Sequence, residues 1–301
     1  MKHRLFCVAG GDIVKELLKG KPIANSLEAE IKQKVSDFRC RGTIIKMVTI
    51  LVDGDKASKV YANEKRKIAE RLEIKNELRL FQSHVSEYEL IKYIHTLNED
   101  KTVHGIMLEL PLPKHISSDS VISAINPLKD IDGLTQSNQM ANLTGTPGIY
   151  PATPQACVNL LEHYGYSLQG KHVVLVGCGK TVGMPLLHLL IRKGATVTAC
   201  HAGTKDLRAH VRGADILFTA VGKANLITKD MVHKDLIVID AGIHQTATKE
   251  IVGDTSKEAA ELVAAISPTP GGVGIITSMQ LFKNLTSALE LQLASRQPIT
   301  V

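Results

Sequence analysis

Three features of the 301-residue chain predict an α/β fold in two halves. Short apolar runs alternate with longer segments of helical period, the pattern of parallel strands joined by helices. A glycine-rich turn, Gly177 to Gly183, stands between one such run and an apolar segment long enough to be a helix. Between the halves, Asn142-Leu-Thr-Gly-Thr-Pro-Gly-Ile-Tyr-Pro-Ala-Thr-Pro154 is rich in Gly and Pro, which places a boundary near residues 148 and 149.

In the first half, Ile44 to Val52 is strand-like, Ala57 to Leu72 helical, and Leu78 to Ser83 strand-like again. Glu87 to Leu97 is helical, and Val103 to Leu110 is a strand that runs into Pro-Leu-Pro. The second half repeats the alternation, with strands at Val173 to Val176, Ala195 to Cys200, Ile216 to Val221, Leu236 to Ala241 and Ala264 to Ile266. Largely parallel sheets follow from this order.

Composition narrows the classes of function. With 44% hydrophobic and 22% charged residues, the chain has the balance of a soluble globular protein. Its net charge of +6 is spread out, and the densest cluster, Lys65-Arg66-Lys67, is broken by apolar and acidic neighbours at helical spacing. That is a solvated helix face and not a nucleic-acid site. Aromatic residues make up only 4%, with no tryptophan, which argues against a base-stacking platform. A mild positive surplus suits an acidic small molecule. The five cysteines, Cys7, Cys40, Cys157, Cys178 and Cys200, are odd in number and form no C-x-x-C. A disulfide framework and a structural zinc are therefore not expected, and a reducing compartment is. No apolar run reaches the length of a membrane span, and Met1 to Gly11 lacks a signal-peptide core, so the expectation is a cytoplasmic protein with no membrane partner.

The loop Gly177-Cys-Gly179-Lys-Thr-Val-Gly183 has the spacing G-x-G-x-x-x-G, one residue longer than the usual dinucleotide fingerprint. At a strand-to-helix turn, backbone N–H groups and the helix dipole can hold a pyrophosphate. The plain alternative is a tight turn that needs glycine for its geometry. The next strand should show the type of dinucleotide, through an acid for the ribose of NAD or an arginine for the 2′-phosphate of NADP. Here Thr196-Val-Thr-Ala-Cys200 ends in His201-Ala-Gly-Thr-Lys205, with neither acid nor arginine. The residues by themselves imply a nicotinamide dinucleotide of undecided type.

Tyr61 and Lys65 stand four apart on the helical segment, so both project from one face. Such a pair can join a stacking ring to an acid/base amine, and alone it is equally an amphipathic surface helix. Its company adds weight. Ala57-Ser-Lys-Val-Tyr-Ala-Asn-Glu-Lys65, Gly105-Ile-Met-Leu-Glu-Leu-Pro-Leu-Pro113, Lys129-Asp-Ile-Asp-Gly133 and Pro270-Gly-Gly-Val-Gly274 follow in order. In these four pieces, over nearly its full length, the chain resembles the methylenetetrahydrofolate dehydrogenase/cyclohydrolase (FolD) family.

The resemblance implies an N-terminal α/β substrate domain (1–148), a Rossmann-like NAD(P)-binding domain (149–279) and a cleft between them. It also implies a last helix, about Gly274 to Ala294, returning to the first domain, which the segment 280–301 completes. It assigns Lys65, Tyr61 and Glu109 to catalysis. Tyr61, Lys65, Leu108, Leu110, Asp132, Pro270, Gly271, Gly272, Val273 and Gly274 would meet the folate, Asp132 through paired hydrogen bonds to its ring. The longer glycine spacing is the family's own, so Gly177, Cys178, Gly179, Thr181, Val182 and Gly183 would meet the dinucleotide. His201, Ala202, Val221, Gly222, Gly242, Ile243 and Thr277 would join them. Tetrahydrofolate substrates, a homodimer and no metal are implied as well. Either NADP or NAD would be the cofactor.

Departures from the family pattern carry expectations of their own. Cys178-Gly179 stands where Arg-Ser is common, and Ala202 where serine is. Both changes remove partners of the 2′-phosphate and weaken a preference for NADP. Ile275-Ile276 replaces Pro-Met before Thr277. Glu109 stands in place of a glutamine. A carboxylate beside Lys65 favours the ammonium form, which leaves hydride transfer usable and makes ring hydrolysis weak or absent, unless Glu109 itself acts as the base or is turned away from Lys65. A dehydrogenase without hydrolase activity and a non-catalytic folate or dinucleotide binder are the competing readings. A shikimate-type dehydrogenase would explain the second half only.

Overall fold

A computed structural model describes residues 16–54, 56–246 and 250–295. The readings of Met1 to Gly11, of Cys7 and of the end of the chain from 296 lie outside these residues. In the first half, β1 (Glu16–Leu17) and α1 (Lys21–Cys40) precede β2 (Lys46–Val52), α2 (Lys56–Arg71), β3 (Lys75–Phe81), α3 (Glu87–Glu99) and β4 (Gly105–Leu108). Then come α4 (Ser118–Ser123), α5 (Gln136–Thr144), α6 (Ala152–His163), β5 (His172–Val176), α7 (Gly183–Arg192), β6 (Thr196–Cys200) and α8 (Leu207–Arg212). The chain continues with β7 (Ile216–Thr219), β8 (Ile237–Asp240), β9 (His244–Gln245), β10 (Ile251–Val252), α9 (Lys257–Leu262), β11 (Ala265–Ile266) and α10 (Val273–Ala294).

The expected two-domain α/β architecture is present. One parallel sheet has the order β3-β2-β4, and a second, six-stranded one the order β1-β11-β8-β7-β5-β6. The first described strand thus joins the second sheet, through Glu16↔Ala265 and Leu17↔Ile266. Strands β2, β4, β5, β7 and β8 are apolar runs buried almost throughout, as parallel strands covered on both faces must be. Among the described residues, no helix is long and apolar enough to cross a membrane.

Two readings of the sequence shift. The strand expected at Leu78 to Ser83 forms earlier, because Lys75, Asn76 and Glu77 pair by backbone with Lys46, Met47 and Val48. At a sheet edge, hydrogen bonding continues through residues whose side chains stay wet. The Gly/Pro-rich separator is also shorter than its composition, since α5 runs through Asn142 and α6 begins at Ala152. Pro154 falls in the first turn of α6, where its missing N–H costs nothing.

Helix α10 is apolar nearly all round and packs against both α1 and α6. It therefore lies at the join of the two halves, with its N-terminus in the Pro270 to Gly274 segment.

Candidate active site

The carboxyl ends of β2 and β4 meet at one edge of the first sheet. The Glu109 N–H donates to Ile50 O at 2.9 Å, which carries the pairing one residue past β4 and fixes the base of its side chain. Lys65, on α2, donates from Nζ to Glu109 Oε1 at 2.8 Å and Oε2 at 3.0 Å. The side chains are only 13% and 6% exposed, so this is a largely buried, charge-assisted pair that uses both carboxylate oxygens. Ser58 Oγ donates to Leu110 O at 3.2 Å and ties the start of α2 to the same segment. Leu108 is buried in the core of the first sheet, while Leu110 is half-buried. Tyr61, one turn before Lys65, leaves its side chain exposed.

The Lys129-Asp-Ile-Asp-Gly133 segment separates into structural and presented residues. Lys129 is buried and donates from Nζ to the carbonyls of Leu97, Asn98 and Asp100 at 2.7–2.8 Å, at the end of α3. Asp130 accepts from the Gly133 N–H, the Thr135 N–H and Asn138 Nδ2 at 2.7–3.0 Å. These two residues shape the loop. Asp132 is different: among the described residues no hydrogen-bond donor reaches its carboxylate, although its residue surface is only partly exposed. Desolvation pushes its carboxyl up to about 6, against the pull of Lys65 and with help from Asp130 and Glu109. Lys65, Glu109 and Asp132 thus form one coupled cluster.

In the second half, the glycine loop divides in the same way. Gly177 has φ +104, and a Cβ on Gly183 would lie 1.9 Å from Gly177 O, so these two positions require glycine for the turn itself. Gly179 has nothing within 4 Å of a Cβ position. Its bareness is toward solvent, where a ligand backbone can approach. Thr181 is exposed and Val182 half-buried beside it. Cys178 turns its thiol back toward Cys200 O at 3.6 Å, and Lys180 is held by Asp119 of α4 at 2.6 Å. His201 and Ala202 are exposed, and His201 Nδ1 accepts from the Gly203 N–H at 3.0 Å.

Two further loops at the strand ends adjoin the glycine loop: a Cβ on Gly177 would lie 3.1 Å from Val221, and one on Gly222 3.3 Å from Ile243 O. Val221 and Ile243 are 46% and 47% exposed, bare apolar side chains next to Gly222 and Gly242. Their shape is set by buried carboxylates that the sequence does not advertise. Asp254 accepts from the Val221 N–H at 2.8 Å and the Lys223 N–H at 2.7 Å. Asp240 accepts from Thr219 Oγ1, the Gly242 N–H, the Asp254 N–H and the Thr255 N–H at 2.8–3.1 Å. Burial also raises the Asp254 carboxyl above its ordinary range, opposed by the Val221 N–H. Strand-terminal position is the sequence signal that could have found Asp240; nothing local marks Asp254. The open glycine, the bare apolar pair and the helix start at Gly183 all fit a dinucleotide.

The Pro270 to Gly274 segment closes the arrangement. Gly271 O accepts from the Gly20 N–H at 2.9 Å, Val273 is buried, and Gly274 is exposed. Thr277 Oγ1 donates back to Val273 O at 3.2 Å.

Residues 18–132 match the model for the catalytic domain of tetrahydrofolate dehydrogenase/cyclohydrolase, and residues 151–293 the model for its NAD(P)-binding domain. The chain belongs to this family. A relative from Heliobacterium modesticaldum, "Bifunctional protein FolD", is 49% identical over 92% of this chain and 97% of its own length. A solved structure of the bifunctional FolD enzyme from Campylobacter jejuni superposes with a TM-score of 0.89 at 36% identity, covering 93% of this chain and all of that one. The Trypanosoma brucei FolD structure, described as complexed with NADP cofactor and inhibitor, gives a TM-score of 0.87 at 30% identity over 93% and 98%. As a family member, the chain is a methylenetetrahydrofolate dehydrogenase/cyclohydrolase, an enzyme of one-carbon folate metabolism with an NAD(P)-binding domain.

Proposed function

We propose that the stronger activity is the oxidation of 5,10-methylenetetrahydrofolate to the 5,10-methenyl compound, and that hydrolysis to 10-formyltetrahydrofolate is weak. The pairing of Lys65 with both oxygens of Glu109 carries this reading. The bound dinucleotide supplies the hydride acceptor. Loss of hydride leaves a resonance-stabilised cation on the folate, and no proton leaves, so the protein's task in this half is orientation. Tyr61 lays its ring against the folate, and Asp132 accepts hydrogen bonds from the folate ring. Gly177 to Gly183 would hold the pyrophosphate, and Val221 and Ile243 would contact the dinucleotide. Glu109 offsets the ammonium charge of Lys65, so the developing cation does not face a bare positive charge.

Hydrolysis makes a different demand. Water must lose a proton as it adds to the cation, and an ammonium clamped by a carboxylate cannot accept one. A dehydrogenase without hydrolysis is the limit of the same reading.

The cofactor choice follows from the bare loop. With Cys178 folded back and Lys180 on Asp119, the 2′-phosphate of NADP meets Lys205 at most. Its desolvation goes uncompensated and NAD competes. We also propose a homodimer in the cytoplasm: edge strand β3 leaves Leu78 and Leu80 exposed, as an unpaired edge awaiting a second copy does. The test follows reduced nicotinamide and methenyl-folate absorbance separately in purified protein, with NAD and NADP in parallel. Dehydrogenation faster than hydrolysis, with both cofactors used, is expected. Equal half-reactions and strict NADP use would overturn it.

A further inference from the structure

Helix α10 buries three amide side chains along one face, Gln280, Asn284 and Gln292, each 5% exposed or less. Asn284 uses all four of its hydrogen-bonding positions. Its Nδ2 donates to Ile131 O and Tyr150 O, both at 2.9 Å, and its Oδ1 accepts from Gln155 and Gln280 at 3.2 Å. Gln155 supports it again by donating to Tyr150 O at 2.8 Å. Gln292 Nε2 donates to Leu128 O and His104 O, both at 2.8 Å. The Lys129 to Gly133 loop is therefore held from α10 at two points, just before it at Leu128 O and in its middle at Ile131 O. A Cβ on Gly133 would lie 2.6 Å from Ile149 O, so the loop is pressed against the link between the halves, where Asn284 also holds Tyr150 O.

Buried amides destabilise unless fully paired, and a helix packed for stability alone would carry leucine here. What leucine could not do is fix a carbonyl in place. We infer that Asn284 is a positioning residue for Asp132: by holding Ile131 O it sets where the neighbouring carboxylate stands relative to Lys65 and Glu109. The same helix starts at Val273, in the segment expected to meet the folate, so one helix carries both that segment and the amides that hold the Lys129 to Gly133 loop. This inference rests on the proposed role of Asp132 in folate binding.

The test measures dehydrogenase kinetics for the full chain carrying Asn284→Ala, Asn284→Ser or Gln155→Met, each alone and combined with Asp132→Asn. The folate KM should rise about tenfold in Asn284→Ala, since small misplacements of a binding group weigh heavily, and less in the other two. The dinucleotide KM should stay within about twofold, and Asp132→Asn should absorb the effect, leaving no further rise. The fall in kcat/KM for folate below about pH 6 should move to lower pH as water reaches the carboxyl beside Lys65, Asp130 and Glu109. Folate and dinucleotide KM rising together, or losses that add to Asp132→Asn, would show a purely structural amide. If Asn284→Ala does not fold, Gln155→Met decides, because it leaves the bond to Ile131 O in place but unsupported. Asp132→Asn without effect on folate KM would overturn the site assignment and this inference together; an effect there, with none in Asn284→Ser and Gln155→Met, would overturn this inference alone.

Discussion

At the carboxyl ends of the first sheet, the proposed site consists of charged side chains that the fold has largely buried; at the glycine loop, it consists of backbone that the fold leaves bare. The chain departs from its family's pattern in both places. Glu109 stands where the resemblance leads one to expect an amide, with its side chain 6% exposed, and Cys178-Gly179 stands where it leads one to expect Arg-Ser, on an open turn. Burial makes the first departure matter, because a carboxylate there must be paired and its partner is the catalytic candidate itself. The second subtracts contacts from an exposed surface, where each is worth less and the ligand can be exchanged for a near relative. On the proposed function, a change of similar size in sequence would alter the reaction in one region and the choice of cofactor in the other.

The largest expected effect breaks the buried side of the comparison. Lys65→Ala should abolish hydrolysis of the methenyl compound. It should also cost about 3–5 kcal/mol of stability in denaturant unfolding, since Glu109 is left buried without its partner. Full hydrolase activity in that variant would remove Lys65 from the chemistry.

Next is Asp132. Asp132→Ala should raise the folate KM by a factor of about 10–150, the loss of a charge-assisted contact of about 1.5–3 kcal/mol. The same carboxyl should weaken the free protein. Its folded pKa of about 6 lies above the ordinary 3.8, so the folded state holds the proton longer and stability falls as pH rises between them. Asp132→Asn should therefore raise stability at pH 7 by at most about 3 kcal/mol, and Tm with it, and leave both unchanged below about pH 4. Thermal unfolding at the two pH values checks the sign.

On the open side, Cys178→Arg with Gly179→Ser and Ala202→Ser should shift the kcat/KM ratio toward NADP by about tenfold or more. Space allows it: a Cβ at Gly179 meets nothing within 4 Å, and residue 202 is exposed. The smallest effect should come from Asp119→Ala. The Lys180–Asp119 pair is 75% and 69% exposed, and its loss should change unfolding stability by less than about 1 kcal/mol.

Much of the architecture was legible because buried parallel strands are short apolar runs, and β2, β4 and β5 to β8 lie within a few residues of where the runs are. Helix α1 lies outside the elements expected above, although Ile23, Leu27, Ile31, Val35 and Phe38 recur at helical spacing along its buried face and carry the signal for it. The edge strand β3 began three residues early since backbone pairing there is indifferent to side chain. Pairing of β1 with β11 joins residues some 250 apart, and no local pattern encodes it. At the site, the motif residues came together as Lys65, Glu109 and Asp132. The carboxylates that shape the loops, Asp240 and Asp254, and the amide Asn284 stayed hidden. Their roles consist of hydrogen bonds to distant backbone, which leave no spacing to read.

The most direct measurement compares the two half-reactions in the native protein and in Glu109→Gln. The native enzyme should form methenyltetrahydrofolate faster than it hydrolyses it, and the glutamine variant should hydrolyse faster than the native one while dehydrogenation stays the same or slows. Native hydrolysis that keeps pace with oxidation, together with a glutamine variant no faster, would contradict the central claim that Glu109 holds Lys65 out of the second reaction.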